Sequence, residues 1–310
     1  MSQTLTGNDE FQPLSAEVND LLEAAYAPNT RRAYRADIAS FLAWGGSVPS
    51  SPEEIAAFVA FRARDCAVAT IRRQLASLSS LHTTLGYDPN PLKSRHIAST
   101  MRGLARLHGR PQQAVEPLLI EHLRSILDIL PDTIVGRRDA ALLAIGLAGA
   151  FRRSELVALD FADVSWESRG ARFEIRRSKT DQVGQGRTVA IPFGRTRYCP
   201  LKYLEVWSEE IGSKEGAIFR SCLKGGRIGS RRLSREAVAR LIKSCVSEIG
   251  LDPARYSGHS LRAGYVTSAV QAGATEHSIR RQTGHSSAAT MERYIRLGSL
   301  FEDNPTSLLF

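Results

Sequence analysis

Apolar residues recur at helical spacing through the first hundred positions. In SAEVNDLLEAAY (15–26), Val18, Leu21, Leu22 and Ala25 share one face, Ser15 stands as a cap, and acids fill the early turns. NTRRAYRADIASFLAWGG (29–46) carries Tyr34, Ile38, Phe41 and Leu42 as its stripe and stops at Gly45–Gly46. SPEEIAAFVAFRAR (51–64) sets Ser51 before Pro52, a capping residue followed by a proline at the first helical position. TIRRQLASLSSLHTTLG (70–86) repeats Ile71, Leu75, Leu78 and Leu85, and a last helix covers roughly 94–108. The pattern predicts a small helical domain over 14–109, behind a loose polar leader at 1–13.

HGRPQQAVEP (108–117) offers little to bury, and a linker is expected over 110–117. The pattern then becomes mixed. Helices are expected at about 118–130, at 136–148 and after Arg152. In RFEIRRSKTDQVGQGRTVAIP, two β-rich runs, 172–177 and 187–191, flank a polar stretch with glycine, which reads as a hairpin with a long tip. Helices return at about 199–211, 234–249, 260–272, 275–282 and 287–297. The second domain, 118–298, is therefore mostly α with a small β-sheet, and the chain as a whole is of the α+β class. A tail at 299–310 holds Leu300, Phe301, Leu308, Leu309 and Phe310, which bury either on their own domain or on another copy.

The length of 310 residues suits two domains, and the 43% hydrophobic content is ordinary. Charge changes the picture more. Lys plus Arg number 41 against 32 Asp plus Glu, giving +9 and pointing to a polyanionic partner, most often nucleic acid. Residues 1–27 hold five acids and no Lys or Arg, whereas residues 28–109 hold eleven bases and five acids. Arg31, Arg32, Arg35, Arg72 and Arg73 lie off the apolar stripes; singly each fits a solvated face, and together they fit phosphate contact. The helix of Arg72, Arg73 and Gln74 is the candidate for the major groove. Cys66, Cys199, Cys222 and Cys245 are scattered without metal spacing, so a reduced, cytoplasmic chain is expected. There is no basic leader with an apolar run behind it, and no run near the ~18–20 apolar residues of a membrane span.

The candidate chemistry sits in the second half. GAFRRSELVALD holds Arg152, Arg153 and Glu155, where a half-buried arginine needs an anion or simply pairs with Glu155. Lys179 lies toward the hairpin tip in RSKTDQ. SGHSLRAG (257–264) places His259 and Arg262 three apart at a helix start, where unpaired N–H groups and a guanidinium fork both favour a phosphate. His285 follows Gly284, and Tyr294 comes nine residues later. Singly, a tyrosine on a helix is a core residue and a hairpin lysine is exposed. Together, two arginines can neutralise a phosphodiester, a lysine can protonate a leaving oxygen, two histidines can move protons, and a tyrosine can attack phosphorus. That is a set for phosphoryl transfer through a covalent intermediate with no metal and no cofactor.

The ordered stretches RRSEL, SKTDQ, GHSLR, TGH and the late tyrosine resemble the tyrosine recombinase (phage integrase) family over roughly residues 14–300, most of all its simple Cre-like and Xer-like members. The resemblance implies a core-binding domain and a catalytic domain forming a C-shaped clamp on DNA. It implies that Arg152 and Arg262 hold the scissile phosphate, that Lys179 is the general acid, and that His259 helps Tyr294, the nucleophile, lose its proton. His285 matches a position that is Trp in Cre, and Glu155 matches an acidic buttress. Arg153, beside Arg152, stays open for the role of Arg152. The implied partners are duplex DNA with a specific recombination site and a homotetramer on two duplexes. A type IB topoisomerase-like enzyme and a non-catalytic DNA-binding regulator remain the alternatives.

Overall fold

A computed structural model of the chain describes residues 28–109, 115–176, 186–223 and 225–284, with Leu309. The leader at 1–13, the helices expected at 15–26 and 287–297, residues 110–114 of the expected linker, and the tail apart from Leu309 lie outside the described residues. The chain divides into two compact units, Met1–Gln112 and Gln113–Phe310.

In the first unit the described residues form α1 (Pro28–Trp44), α2 (Pro52–Arg62), α3 (Val68–Thr84) and α4 (Arg95–His108). The ends follow local chemistry. The Ser51 hydroxyl accepts from the Glu54 N–H at 3.2 Å with Pro52 at the first helical position, and Ser94 accepts from the Ile97 N–H at 3.3 Å. Ile55, Val59, Ile71, Leu75, Ile97 and Leu104 bury one another, and Phe41, Phe58 and Leu78 form a second cluster with Trp44 against it. The rings of Phe41 and Phe58 meet edge to face at 5.0 Å. Two expected stripe residues stay out of the core: Leu42 is 49% exposed and Leu85 50%. Trp44, three positions past Phe41, takes the inward place instead, and Leu85 lies beyond the last turn of α3.

Asp37 of α1 is buried, accepts from the Ser77 hydroxyl at 2.8 Å and pairs with Arg73 at 3.0 Å, as a buried carboxylate requires. Asp37 thus meets positions 73 and 77, while Phe41 shares a cluster with Leu78. Gln74 departs from the expectation of a surface contact. It is buried, with its Oε1 accepting from Arg62 Nε at 3.4 Å, because its position on α3 faces α2 rather than solvent.

The second unit is built around α6 (Ile134–Ala148), whose residues from Asp139 to Leu147 are all buried. A helix apolar on nearly every side belongs at a centre. Around it stand α5 (Ile120–Ile129), α7 (Arg153–Ala158), α8 (Pro200–Ile211) and α10 (Ser260–Gln271). Farther out are α9 (Arg235–Glu248) and α11 (Glu276–Thr283). Strands β1 (Val164–Glu167), β2 (Gly170–Ile175) and β3 (Arg187–Pro192) make an antiparallel sheet in that order, with Ile175 opposite Arg187 and Gly170 opposite Pro192. Ala171, Phe173, Ile175, Val189 and Ile191 line its buried face. The expected hairpin is present, but β1 and a small hairpin of β4 (Arg220–Cys222) and β5 (Ile228–Arg232) were not anticipated. They are short, polar and half exposed, so they lack an alternating apolar signal. All four cysteines are free thiols, and no helix among the described residues is long and apolar enough to cross a membrane.

Candidate active site

The site begins where α6 stops. Ala150, wholly buried, takes φ +48, a left-handed conformation that costs an L-residue roughly 1–2 kcal/mol. The turn sends Phe151 into the core and brings Arg152 to the start of α7. It also presents the Ala150 carbonyl to α10, where Arg262 Nη1 donates to it at 2.8 Å. Arg262 is 6% exposed. The backbone strain thus sits between the two arginines that the sequence singles out.

Arg152 is the N-cap residue of α7 and Glu155 its third residue. The Glu155 carboxylate reaches back over the helix start. Oε2 accepts from the Arg152 N–H at 3.0 Å, which satisfies one of the helix's orphan donors, and Oε1 accepts from Arg152 Nη1 at 2.6 Å. The plain salt bridge that sequence reading offered as the alternative role of Arg152 is therefore present. Its geometry also aims the guanidinium.

Arg153 has a different setting. A Cβ built on Gly258 would lie 1.6 Å from Arg153 Cδ and 2.4 Å from Nε. Only glycine leaves room there for the Arg153 stem, which lies over the turn before α10. Of the two arginines, Arg152 is the one bonded to Glu155. His259 is the exposed N-cap of α10, with its N–H donating to the Ser257 hydroxyl at 3.1 Å, and Arg262 follows one turn inside. Leu118 N–H donates to the Ser260 carbonyl at 2.9 Å, so the segment opening this unit runs beside the start of α10. Lys179, His285 and Tyr294 lie outside the described residues. By sequence, Lys179 belongs to the connection between β2 and β3, and His285 follows directly on the Gly284 that ends α11.

Sequence reading missed Arg187. On β3 it stands at the parity of Val189 and Ile191, which face the core, and its side chain is only 17% exposed. Its Nη2 pairs with Glu155 Oε2 at 2.9 Å, and its Nη1 donates to the Gln282 carbonyl at 2.6 Å. An arginine in register with inward-facing β-branched residues was the available signal. Among the described residues, the guanidinium groups of Arg152 and Arg187 both pair with the Glu155 carboxylate, and that of Arg262 holds the Ala150 carbonyl two residues before Arg152. Guanidinium forks so placed suit an anion with several oxygens.

Burial alone raises the Glu155 carboxyl, but the Arg187 charge and the Arg152 N–H and guanidinium outweigh it and hold the group below the usual carboxylate range. A depressed carboxyl adds stability above its unfolded value of about 4.3 and loses it as the pH falls through the folded value. Thermal unfolding of the wild type against Glu155→Gln checks this. The wild-type advantage should be full near pH 6 and shrink below about pH 4; an advantage independent of pH would refute the charged role.

Residues 117–299 match the phage integrase family. Over 306 residues the chain is 33% identical to the integrase/recombinase xerD homolog of Selenomonas ruminantium, covering 96% of this chain and 90% of that protein. It is 25% identical over 289 residues to tyrosine recombinase XerC of Myxococcus xanthus, covering 89% of each. In fold it is similar to lambda integrase(75–356), solved as a dimer bound to a COC' core site, with TM-score 0.64, 18% identity and coverage of 89% of this chain and 92% of that one. The XerH site-specific recombinase, solved in a post-cleavage complex on palindromic difH substrate, gives TM-score 0.62 at 20% identity, with 84% of this chain and 72% of that one covered.

Proposed function

The chain belongs to the phage integrase family of tyrosine recombinases, and from that premise we propose that it cuts and rejoins duplex DNA at a specific site through a 3′-phosphotyrosine intermediate. The observation that carries the proposal is the Ala150 turn, whose carbonyl holds the buried Arg262 and which leads into Arg152, with Glu155 bonded to the latter. Two guanidinium forks on rigid elements can each donate two hydrogen bonds to the non-bridging oxygens of one phosphodiester. They complement the extra negative charge of a pentacoordinate transition state more strongly than that of the ground state.

In the proposed reaction the Tyr294 hydroxyl, relieved of its proton with help from His259, attacks phosphorus. The bond to the 5′-oxygen breaks, and Lys179 delivers a proton to that oxygen. His285 donates a hydrogen bond to a phosphate oxygen. The protein is then esterified to the 3′ end and a free 5′-hydroxyl remains. The ester retains the energy of the broken bond, so attack by the 5′-hydroxyl of a partner duplex rejoins the strands without ATP. Two duplexes with two cuts each call for four protomers and a four-way junction between the two exchanges. Arg31, Arg32, Arg35, Arg72 and Arg73, on α1 and α3, supply phosphate contacts in the first unit.

Covalent trapping tests the reading. The protein is incubated in EDTA with fragments of the genome that encodes it, denatured, and assayed for protein-linked DNA. The expected result is a linked fragment whose yield is unchanged by the chelator, because guanidinium groups supply the positive charge. Relaxation of supercoiled plasmid with no exchange between duplexes would instead favour a topoisomerase-like enzyme. Binding of the fragments with no linked product across the whole library would overturn the proposal.

A further inference from the structure

Arg187 touches three parts of the second unit at once. It sits at the foot of β3, where the chain returns from the connection that carries Lys179. Through Nη2 it holds Glu155, which in turn holds Arg152. Through Nη1 it holds the carbonyl of Gln282 in the last turn of α11. Gln282 answers with its side chain: Nε2 donates to the Ala148 carbonyl at the end of α6 and to the Ala190 carbonyl of β3, each at 3.1 Å. Gly284 closes the arrangement. Its φ of +63 ends α11, and a Cβ there would stand 2.9 Å from Arg187 Cδ and 3.1 Å from Nε.

We propose that Arg187 is a positioning residue of the cleavage site, fixing in one place the Glu155–Arg152 pair, the foot of the hairpin and the end of α11 that leads into His285. The inference rests on the recombinase reading above and adds a residue to it. The physical argument has three parts. A side chain that only stabilised the sheet at this inward parity would be apolar, as Val189 and Ile191 are. Arg187 instead carries a charge into a place 17% exposed and shares a carboxylate with an arginine expected to hold phosphate. Its planar fork spans Glu155 and a helix carbonyl at once, which fixes two elements relative to each other and is a task a lysine's single ammonium performs poorly. Loss of Arg187 would leave Glu155 buried with one cation fewer, free to pull Arg152 off the phosphate, while the end of α11 lost its tie to β3.

The test compares wild type, Arg187→Met and Arg187→Lys on a fragment that the wild type links covalently. For each protein the rate of linkage at saturating protein and the affinity for the fragment are measured separately, and thermal unfolding with circular dichroism reports folding. Expected for Arg187→Met is a drop of about 10- to 100-fold in the linkage rate with affinity within about threefold of wild type. Arg187→Lys, which keeps the charge beside Glu155 but not the fork, should recover part of the rate. A merely structural role would lower stability without this separation of rate from affinity. Linkage by folded Arg187→Met at the wild-type rate overturns the inference alone. Affinity falling as far as rate overturns it too, since Arg187 would then be a DNA contact. Should Arg187→Met fail to fold, an Arg187→Lys variant that folds and binds like wild type yet links more slowly supports positioning by the fork, and one that links like wild type overturns it. Absence of any wild-type linkage overturns the recombinase reading and the inference with it.

Discussion

Tyr294→Phe is expected to bind DNA fragments as the wild type does and to yield no covalent adduct. The change removes one oxygen and leaves the ring, so packing and phosphate contacts are spared, while no atom remains that can form the ester to phosphorus. The effect is total rather than graded, because phenylalanine offers no nucleophilic atom in place of the hydroxyl. The measurement is gel-shift affinity beside denaturing electrophoresis of labelled DNA. An adduct that survives in Tyr294→Phe would place the nucleophile elsewhere, for instance at Tyr265 on α10, which is half buried and whose hydroxyl is made less acidic by that burial. Equal loss of binding and of linkage would mean that Tyr294 serves the fold instead.

Arg262→Gln is expected to lower the linkage rate by about 10²- to 10³-fold, the range seen when one preorganised donor to a developing oxyanion is removed. Glutamine ends two bonds short of Arg262 Nη1, so the Ala150 carbonyl also loses its present bond, a cost that falls on stability. What disappears is the charge and the second arm of the fork. Arg262→Lys should restore charge without the fork and stand between the two. Because Arg262 is 6% exposed, unfolding temperatures must accompany the rates. A stable Arg262→Gln that links at the wild-type rate would remove Arg262 from the phosphate site. The same comparison on Arg153 serves as a contrast. Its stem lies over Gly258 and it is Arg152 that bonds Glu155, so Arg153→Gln should change the rate far less than Arg262→Gln.

Much of this was legible in one dimension. Helices in both units were readable because each buries one face against a neighbour, and the resulting 3.6-residue repeat is written in Ile71, Leu75 and Leu78, with Ser51 marking a helix start. The α6 helix was expected at 136–148, but its central place came from the structure, where Asp139 to Leu147 are all buried. The candidate arginines were readable because residue types that carry phosphate chemistry recur in order. Where reading fell short, the determining contact was remote in sequence. Leu42 and Trp44 compete for one inward place, and the packing of α2 on α1 decides between them. Gln74 is polar and sits between two arginines, yet its side chain turns toward Arg62 of another helix.

The sequence by itself determined the α+β class, the two-part organisation and the helices among the described residues, because periodicity and caps are local properties, and it named the residues proposed to handle a phosphodiester. Only the tertiary structure decided which arginine of the Arg152–Arg153 pair bonds Glu155, that a strained Ala150 joins Arg152 to Arg262, and that Arg187 and Gln282 tie the hairpin to α11. For the last two the physical reason is the same. A buried charge or a buried carbonyl must find its partner wherever the packed chain provides one, here 95 positions along for Arg187 and 112 for Arg262, and no local pattern records so distant a bond.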